Sequence, residues 1–455
     1  METNYKLQIE IQMKNNIESL INLKGKKLLV IGGGAYYKHL KEYKEKKGFI
    51  VIAVGDFEDE RAKDLVDVFY KVSRTDVAGI VKVVNEENID GIFVGSSELY
   101  AEIAIEVCKK TKARFYATQE QWDIIANKRL FKQYAQKNGF PVIPEFKVTN
   151  KSSNEEISSL NYPVLIKPVD GSGARGLNIC YSASEFKKMY EEALRWSRVK
   201  DVIVEQLITD AVDVFVNYTI QEGVATLSYA YTKKVVISKE KSYVTLPIFH
   251  FYPTKYIEQY YQRVDASAKK MITNMGLRNG SITFQGFYKN GQYMFYEAGY
   301  RLGGSQAYVF TEYENGANVL HYLINYVLVG RMSDDNLSML ENARFPYPAC
   351  NYYVVLKAGV IDHIDGIEVV ENMPEVLNVT QLCYPGDEIH ETNEVGRAIY
   401  RLHVVGKNIE ELAKTLVTIS DTLKIMSTEG EEMQIEHLQY DRCLSAIKDS
   451  ILIYS

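Results

Sequence analysis

Short apolar runs alternate with helix-like stretches through residues 26–117, and this alternation limits the folds open to the first part of the chain. The runs are KKLLVIGGG, FIVIAV, DVFYKV, GIFV and ARFYA, and stretches such as ELYAEIAIEVCKK lie between them. Strands joined through helices form βαβ units, which build parallel sheets. We therefore predict an α/β domain over residues 25–117, with these five runs as its strands.

Three consecutive glycines, Gly32–Gly34, end the first predicted strand and raise the question of a bound dinucleotide. The dinucleotide fingerprint GxGxxG would require a further glycine at position 37, where the chain has Tyr37. We therefore favour a tight strand-to-helix turn, with dinucleotide binding as the alternative.

Length, net charge and cysteine content exclude several other classes of protein. A length of 455 residues allows about two to four domains. The net charge is −6 with no basic block, so we expect no nucleic-acid partner. There is no apolar run of ~18 residues, and the first 24 residues resemble an amphipathic helix, so we expect neither a membrane span nor a signal peptide. Five scattered cysteines without a CxxC pair are typical of reduced thiols, and we expect a cytoplasmic protein.

Beyond residue 117 the pattern changes to helices and hairpins. A helix is predicted over residues 121–140, and two alternating stretches predict hairpins, turned at Glu222–Gly223 and at Lys289–Gly291. Further strand patterns and a helix capped by Asn408 make the last part α+β. The predicted organisation is an N-terminal helix over 1–24, the α/β domain over 25–117, a central domain over 118–340 and a C-terminal α+β region over 341–455.

The stretch YPVLIKPVDGSGARGL, residues 162–177, carries the most specific chemical signal. It begins as a buried strand, and Lys167 near the strand's end can project an ammonium group into a cleft. The glycines that follow permit positive φ and close backbone approach, so their N–H groups can surround phosphates, with Arg175 as a further cation. The lysine precedes the glycines, which is the reverse of a Walker A loop. The alternative is a surface lysine beside a flexible hairpin.

Two further stretches carry polar groups at strand ends. DVIVEQLI ends a strand in Glu205, Gln206, Leu207 and Ile208, whose backbone groups can pair with an adenine edge. Asp213, eight residues past Glu205, can hold a ribose hydroxyl.

Gln285 and Glu297 lie on the two arms of the second hairpin, where they can share one face and hold Mg²⁺ between them and ATP oxygens. Arg301 is followed by Gly303 and Gly304, and a guanidinium with glycine N–H groups makes an anion site.

Together these motifs resemble the ATP-grasp superfamily over roughly residues 26–340. The motifs are the lysine of ANKRLF, the stretch at 162–177, VEQL and YEAGYRLGG. The RLGG run and the long C-terminal region are most similar to the carbamoyl-phosphate-synthase-like and L-amino-acid ligase branch. The resemblance implies an ATP-grasp fold, with an N-terminal parallel-sheet (pre-ATP-grasp) domain and a lid at about 160–206.

The resemblance also implies roles for individual residues. Those implied to bind ATP are two lysines, a lid loop, an adenine hinge and a ribose acid: Lys128, Lys167, Gly171, Ser172, Gly173, Ala174, Arg175, Gly176, Glu205, Gln206, Leu207 and Asp213. Glu297 matches the principal magnesium ligand, with Gln285 opposite. Arg301 and Gly304 match the group that stabilises an acyl phosphate and its oxyanion.

Two residues near the implied substrate site have open alternatives. His250, in LPIFHFYP, resembles a substrate-site histidine of the amino-acid ligases, and a structural histidine is the alternative. Glu98, in GSSELYAE, can reach a substrate amine or cap a helix.

The sequence departs from the family pattern at two positions. Gln285 stands where an acid is usual, and Gly299 stands where an asparagine is usual. A neutral ligand in place of a carboxylate should weaken the hold on Mg²⁺, above all on a second ion.

The implied activity is ATP-dependent ligation of a carboxylate, such as an amino acid, to an amine through an acyl phosphate. ATP and Mg²⁺ are the implied cofactors, the partners are the small-molecule carboxylate and amine, and a homodimer is the family-level expectation. The alternatives are an enzyme that phosphorylates or carboxylates a small molecule, and a nucleotide-binding module with little catalysis. Biotin carboxylase is disfavoured because no biotin-carrier segment is evident, and a dehydrogenase would have to be built on IGGGAYY.

Overall fold

The computed structural model describes residues 21–57, 62–171, 175–237, 245–391 and 395–452. The helix predicted over residues 1–24 lies almost entirely outside these ranges. No helix in the described part of the chain is both long and apolar enough to cross a membrane.

The first sheet is parallel, as the alternation of strands and helices predicts. Its order is β3-β2-β1-β4, with β1 at Lys27–Ile31, β2 at Ile50–Gly55, β3 at Val68–Lys71 and β4 at Gly91–Phe93. Helices Tyr37–Lys47, Val77–Glu87 and Glu98–Lys110 follow β1, β3 and β4. The prediction of a fifth strand at ARFYA is wrong. This segment contributes a single parallel bridge, between Gly91 and Arg114. It forms no longer strand because the chain leaves the sheet there to reach the helix capped by Thr118.

The Gly32–Gly34 segment forms the tight turn that we favoured. Gly32 and Gly33 have φ of 73° and 84°, values that favour glycine. A Cβ on Gly32 would also lie 2.5 Å from the ring of Tyr100. The turn therefore requires glycine both for its conformation and for its packing.

The helix predicted over residues 121–140 is two helices, Gln119–Ala126 and Lys128–Lys137. Asn127 lies between them with extended dihedral angles, and its side chain accepts hydrogen bonds from the N–H groups of Arg129 and Leu130. This N-cap begins a new helix. Lys128 is consequently the first residue of a helix, a position that the sequence pattern did not predict.

A small antiparallel sheet carries the stretch at 162–177. Its order is β6-β5-β7, with β5 at Val164–Pro168, β6 at Asn178–Cys180 and β7 at Val202–Gln206. Helices Asn154–Ser158 and Ala183–Trp196 accompany it, and Phe186 and Tyr190 of the second helix pack into its apolar core.

The largest sheet is antiparallel with the order β12-β11-β8-β9-β10-β13-β17-β15. Its strands are β8 at Val212–Gln221, β9 at Val224–Ile237, β10 at Thr245–Tyr252, β11 at Gly280–Lys289, β12 at Gln292–Tyr300, β13 at Ala349–Val355, β15 at Val376–Gln381 and β17 at Ala398–Val405. Both predicted hairpins occur, with two-residue turns at Glu222–Gly223 and Asn290–Gly291 whose residues all have positive φ.

Strands from the C-terminal region extend this same sheet. Phe249 of β10 pairs with Tyr352 of β13, so the sheet continues from the ATP-grasp-like part of the chain into residues beyond 341. A further sheet has the order β16-β14-β18, with β14 at Gly359–Asp365, β16 at Glu388–Ile389 and β18 at Lys424–Ser427. The remaining helices are Ile257–Arg263, Asp265–Asn274, Tyr308–Asn315, Val319–Val329, Leu337–Leu340, Ile367–Glu371, Ile409–Thr422 and Tyr440–Ser450.

A buried carboxyl group in the core gives a pH-dependent contribution to stability. Glu341 is 7% exposed and accepts hydrogen bonds from the hydroxyls of Thr219 (2.8 Å) and Ser228 (2.7 Å). Burial raises its pKa from 4.5 to about 7, although the two hydrogen bonds oppose the shift. The folded protein therefore binds the extra proton between these values. The stabilisation is fully present below pH 4.5 and is lost as the pH rises through about 7.

We expect Glu341→Gln to raise the free energy of unfolding by about 2 kcal/mol at pH 8, and by much less at pH 5, because the amide never ionises. Urea unfolding at the two pH values measures the difference. Glu192→Gln, which changes an exposed side chain, is the matched control and should leave both values unchanged. An equal effect of Glu341→Gln at pH 5 and pH 8 would contradict the titration of this group.

Candidate active site

Two buried lysines share one buried carboxylate where the helix Lys128–Lys137 meets the small sheet. Glu205, on β7, is 0% exposed. Its Oε1 pairs with Nζ of Lys132, and its Oε2 lies 2.8 Å from Nζ of Lys167 on β5. Lys132 also donates to the carbonyl of Ile143 at 2.8 Å. Leu165 is the cross-strand partner of Glu205, so Lys167 is a diagonal neighbour of Glu205 on one face of the sheet.

The charges of this cluster do not balance, because one carboxylate faces two ammonium groups. Burial, and then the like charge of Lys167, lower the pKa of Lys132 from its ordinary value. Burial, and then the like charge of Lys128, lower the pKa of Lys167 in the same way. The adjacent Glu205 carboxylate favours the charged form of both lysines. Since a buried positive charge is stabilised by an anion, the site favours an anionic ligand next to Lys167.

Lys128 meets Lys167 from the start of its helix. Its Nζ donates to the carbonyl of Gly171 at 2.6 Å and lies 3.6 Å from Oε2 of Glu297. Its backbone N–H donates to the carbonyl of Val169 at 2.9 Å. The like charge of Lys128 lowers the pKa of Lys167. The two predicted ATP lysines are therefore close together, on the same side of the molecule.

Because of a β-bulge, the consecutive residues Tyr296 and Glu297 both contribute side chains to the site. Gln285 pairs with Glu297, and the next pair is Gly286 with Phe295, so Tyr296 is the extra residue. The hydroxyl of Tyr296 lies 3.5 Å from Oε1 of Gln285. The ring of Tyr296 lies beneath Lys167, whose Nζ is 5.3 Å from the ring centroid.

The oxygens of Glu297 and Gln285 fit the chemistry of a magnesium site. They are cross-strand partners, so the carboxylate and the amide share a face. The described residues include no group of three or more His, Cys, Asp or Glu side chains placed to hold a metal ion. Mg²⁺ is commonly held by one or two carboxylates together with phosphate oxygens, so this donor set suits an ion bound jointly with a nucleotide.

The predicted adenine hinge lies at the end of β7. The Glu205 carboxylate is directed at the lysines, and its backbone pairs with Leu165 of β5. The side chain of Gln206 donates to the carbonyls of Asn161 and Pro163 at 3.4 Å, and the N–H of Leu207 lies 3.4 Å from the same Pro163 carbonyl.

Asp213, the predicted ribose acid, lies on β8 as the cross-strand partner of Lys233. Burial raises the pKa of its carboxyl group, and Lys233 opposes the shift. Its charge acts on Tyr296, whose pKa burial and then Asp213 raise. Asp213 therefore borders the lysine and Glu297 cluster.

The lid loop is described only at its ends. Ser172, Gly173 and Ala174 lie outside the described residues, and Arg175 is exposed. Gly176 has φ of 73°, and a Cβ there would lie 2.6 Å from Cβ of Trp196. This end of the loop therefore packs directly on the helix Ala183–Trp196.

A second cluster surrounds the run from Arg301 to Gly304. Nη2 of Arg301 lies 2.9 Å from Oε1 of Glu98, at the start of the helix Glu98–Lys110. The carbonyl of Gly303 accepts a hydrogen bond from Tyr36 Oη at 3.2 Å, and that of Gly304 accepts one from Arg401 Nη1 at 2.5 Å. The glycine turn after β1, the loop before Glu98 and β17 therefore meet at the predicted anion site.

His250 lies in an aromatic cluster on β10. Its ring stacks on Tyr231 with centroids 4.4 Å apart and meets Tyr353 edge-on at 5.0 Å. Burial, followed by the positive charge of Lys233, lowers its pKa well below 6.5. The imidazole is therefore neutral. Its Nδ1 is buried and has no hydrogen-bond partner among the described residues.

Four residues of these clusters were not predicted from the sequence: Tyr36, Lys132, Tyr296 and Arg401. Lys132 is four residues after Lys128 in a helix, so it lies on the same helical face, and this spacing was a usable signal. Arg401 is a charged residue in the apolar run AIYRLHVV, a pattern that predicts a buried charge in need of compensation. No comparable signal exists for Tyr36 or Tyr296.

The part of the chain that carries this site is similar to known proteins. Residues 127–324 match the family model for the carbamoyl-phosphate synthase L chain, ATP binding domain. A formate-dependent phosphoribosylglycinamide formyltransferase from Bacillus velezensis is 26% identical over 196 residues, which cover 40% of this chain and 48% of the relative. The chain thus spans about half the length of the curated relatives it matches.

Solved structures are similar over nearly the whole chain. A biotin carboxylase from Campylobacter jejuni has a TM-score of 0.71 at 17% identity, covering 94% of this chain and 96% of the other. An L-amino acid ligase from Bacillus licheniformis has a TM-score of 0.71 at 18% identity, covering 89% and 99%. These similarities show that the chain has the ATP-grasp fold, as its motifs predicted.

Proposed function

We propose that this chain is an ATP-dependent ligase that joins a small carboxylate to an amine and releases ADP and phosphate. The observation that carries the proposal is the convergence of Lys128 and Lys167 beside Glu297, below the ends of the 171–176 loop. A triphosphate supplies the anion that this excess of buried positive charge favours.

The proposed positions of ATP follow from the site. Lys128 and Lys167 bind the phosphates, and the backbone at Glu205, Gln206 and Leu207 borders the adenine. Asp213 binds the ribose. Residues 171–176 are proposed to cover the phosphates.

The proposed chemistry has two steps. A carboxylate oxygen attacks the γ-phosphorus and ADP leaves, while Lys128 and Lys167 offset the charge that spreads over the transferring group. The amine nitrogen then attacks the acyl carbon, inorganic phosphate leaves, and the nitrogen loses a proton as the amide forms. Arg301 and the N–H of Gly304 are proposed to donate hydrogen bonds to the oxyanion that forms on that carbon.

Glu297, with Gln285 opposite, would hold Mg²⁺. The ion would offset phosphate charge when it is bound. Substrates of the proposed reaction are a small-molecule carboxylate and an amine, and the homodimer implied by the resemblance belongs to the same proposal.

The proposal is tested with a panel of carboxylates and amines, read by phosphate release with ATP and Mg²⁺. ADP release that requires both ATP and a carboxylate supports carboxylate activation, and a further requirement for an amine supports ligation. Turnover without an amine product would indicate phosphorylation. ATP binding without turnover across the whole panel would favour a nucleotide-binding module.

We expect Gln285→Glu to lower the Mg²⁺ concentration needed for half-maximal MgATP binding by about 5–10-fold, because a second carboxylate would face the ion. Titration of Mg²⁺ at fixed ATP, followed by a fluorescent nucleotide analogue, gives the value. Gln292→Glu adds the same charge at an exposed position on the far end of β12 and is the control. If the two variants have the same midpoint as the wild type, Gln285 is not a metal ligand.

A further inference from the structure

We propose that Arg401 binds an anionic group of the substrate other than the carboxylate that reacts. The substrate of this enzyme would then carry at least two anionic groups. This inference rests on the proposed function and deepens it by naming the substrate class.

Arg401 is a buried charge in an unusual place. It lies within β17, paired with Tyr353 of β13 on one side and Thr380 of β15 on the other, and it is 5% exposed. All eight residues of the strand are buried. An arginine in such a strand lowers stability unless an anion compensates its charge.

The described part of the protein supplies no such anion. Nη1 of Arg401 donates to the carbonyl of Gly304 at 2.5 Å, and the guanidinium carbon lies 5.6 Å from the centroid of the Tyr353 ring. Its Nε is buried and has no hydrogen-bond partner in the part of the chain that the structure describes. No carboxylate of the described residues lies within 4.0 Å of the guanidinium. A carbonyl and a ring face are neutral, so the positive charge remains uncompensated.

Arg301 provides the contrast within the same cluster. It is paired with Glu98 at 2.9 Å, and its Nη1 lies 3.5 Å from the carbonyl of Leu302. The carbonyls of Leu302 and Gly304 are two residues apart, which chain geometry limits to about 7 Å. Both guanidinium groups also act on the phenol of Tyr36. One small molecule can therefore contact both arginines.

An anion with two oxygens that accept parallel hydrogen bonds suits the guanidinium of Arg401. Carboxylates and phosphates both match the paired donors of a guanidinium, so the second group is one of these two. The aromatic side chains of Tyr353 and Tyr36 lie next to the arginines. Their rings offer apolar surface to a short carbon chain that joins the two anionic ends of the substrate.

The first test measures binding to the wild-type protein without nucleotide. Calorimetry compares matched pairs that differ in one anionic group: L-glutamate with L-glutamine, L-aspartate with L-asparagine, succinate with succinamate, and O-phospho-L-serine with L-serine. We expect the charged member of at least one pair to bind 10-fold or more tightly. The diacid pairs identify a carboxylate, and the phosphoserine pair identifies a phosphate. Equal binding within every pair, or no binding by any compound, overturns the inference.

The second test assigns the preference to Arg401. We expect Arg401→Met to weaken binding of the charged member by 10–100-fold, to leave its neutral partner unchanged, and to leave MgATP affinity unchanged. Arg442→Met removes an exposed arginine and should preserve the preference. If circular dichroism shows that Arg401→Met is unfolded, Arg401→Lys, which keeps the charge and loses the planar fork, is measured instead. An unchanged preference in the folded variant overturns the assignment, because a purely structural arginine would affect stability alone.

The outcomes separate this inference from the proposed function. Selective binding of a charged compound without ATP turnover supports the role of Arg401 and contradicts the ligase. ATP turnover with monocarboxylates alone, at a KM that Arg401→Met does not change, supports the ligase and overturns the role of Arg401.

Discussion

Lys167→Met is expected to lower the rate of ATP turnover by about 10²–10³-fold, equivalent to about 3–4 kcal/mol of transition-state stabilisation. The ammonium group of Lys167 is buried next to Lys128 and above the ring of Tyr296, so no water can replace it. The folded state should survive, because Lys132 and Glu205 remain as a one-to-one ion pair. Phosphate release with ATP, Mg²⁺ and a carboxylate gives the rate, and thermal unfolding checks the fold.

Lys132→Met is the matched control for this prediction. Like Lys167→Met, it removes one ammonium group that pairs with Glu205. Both described polar partners of Lys132 belong to the protein, namely Glu205 and the carbonyl of Ile143. We expect less than about a 10-fold loss of rate, since this lysine positions Glu205 and is not placed to contact a phosphate. Equal losses in the two variants, or wild-type turnover by Lys167→Met, would contradict the phosphate site.

Glu205→Gln is expected to lower the free energy of unfolding by about 3–5 kcal/mol at pH 7. The change leaves two buried lysines without their carboxylate, and removing one partner of a buried ion pair exposes the other charge to the full cost of burial. The amide has nearly the same shape as the carboxylate, so lost packing does not explain such a loss. Urea unfolding measures it, with Glu192→Gln as the exposed control within about 0.5 kcal/mol of the wild type.

A double variant separates charge from shape at this position. Adding Lys132→Met to Glu205→Gln removes one of the two unpaired ammonium groups, so we expect part of the lost stability to return. A double variant that is less stable than Glu205→Gln alone, by as much as an ordinary core substitution costs, would contradict this explanation. The excess positive charge would then not be the cause of the instability of Glu205→Gln.

Local sequence patterns were sufficient for the fold class and for the hairpins. Alternating strand and helix segments predict the parallel sheet, because strands that are joined through helices pair in parallel. Each element could be identified locally, because its apolar periodicity depends only on which of its faces is buried. The pairs Glu222–Gly223 and Asn290–Gly291 predict two-residue turns because the required positive φ is a property of those residues. The boundary at Asn127 was missed because a cap within a helical pattern gives a weak signal.

The candidate site was predictable only where a motif recurs in other proteins. Lys128, Lys167 and Glu297 were found in this way, and the structure brings them together. Tyr296 was not predictable, because a β-bulge changes the face on which a residue lies without any local mark in the sequence. For Glu205, the motif predicted a role for the backbone in binding adenine. In the structure its side chain forms ion pairs with two lysines, Lys132 and Lys167.

The sequence by itself determined that this chain has a parallel sheet followed by an ATP-grasp fold, and it predicted which lysines and acids bind the nucleotide. Only the tertiary structure decided that Lys132 and Lys167 share Glu205, and that Arg401 reaches Gly304 from a strand about 100 residues further along the chain. The physical reason is that charge compensation acts through space. A sequence shows which residues carry charge, but the cost of burying each charge depends on neighbours that folding brings from distant positions.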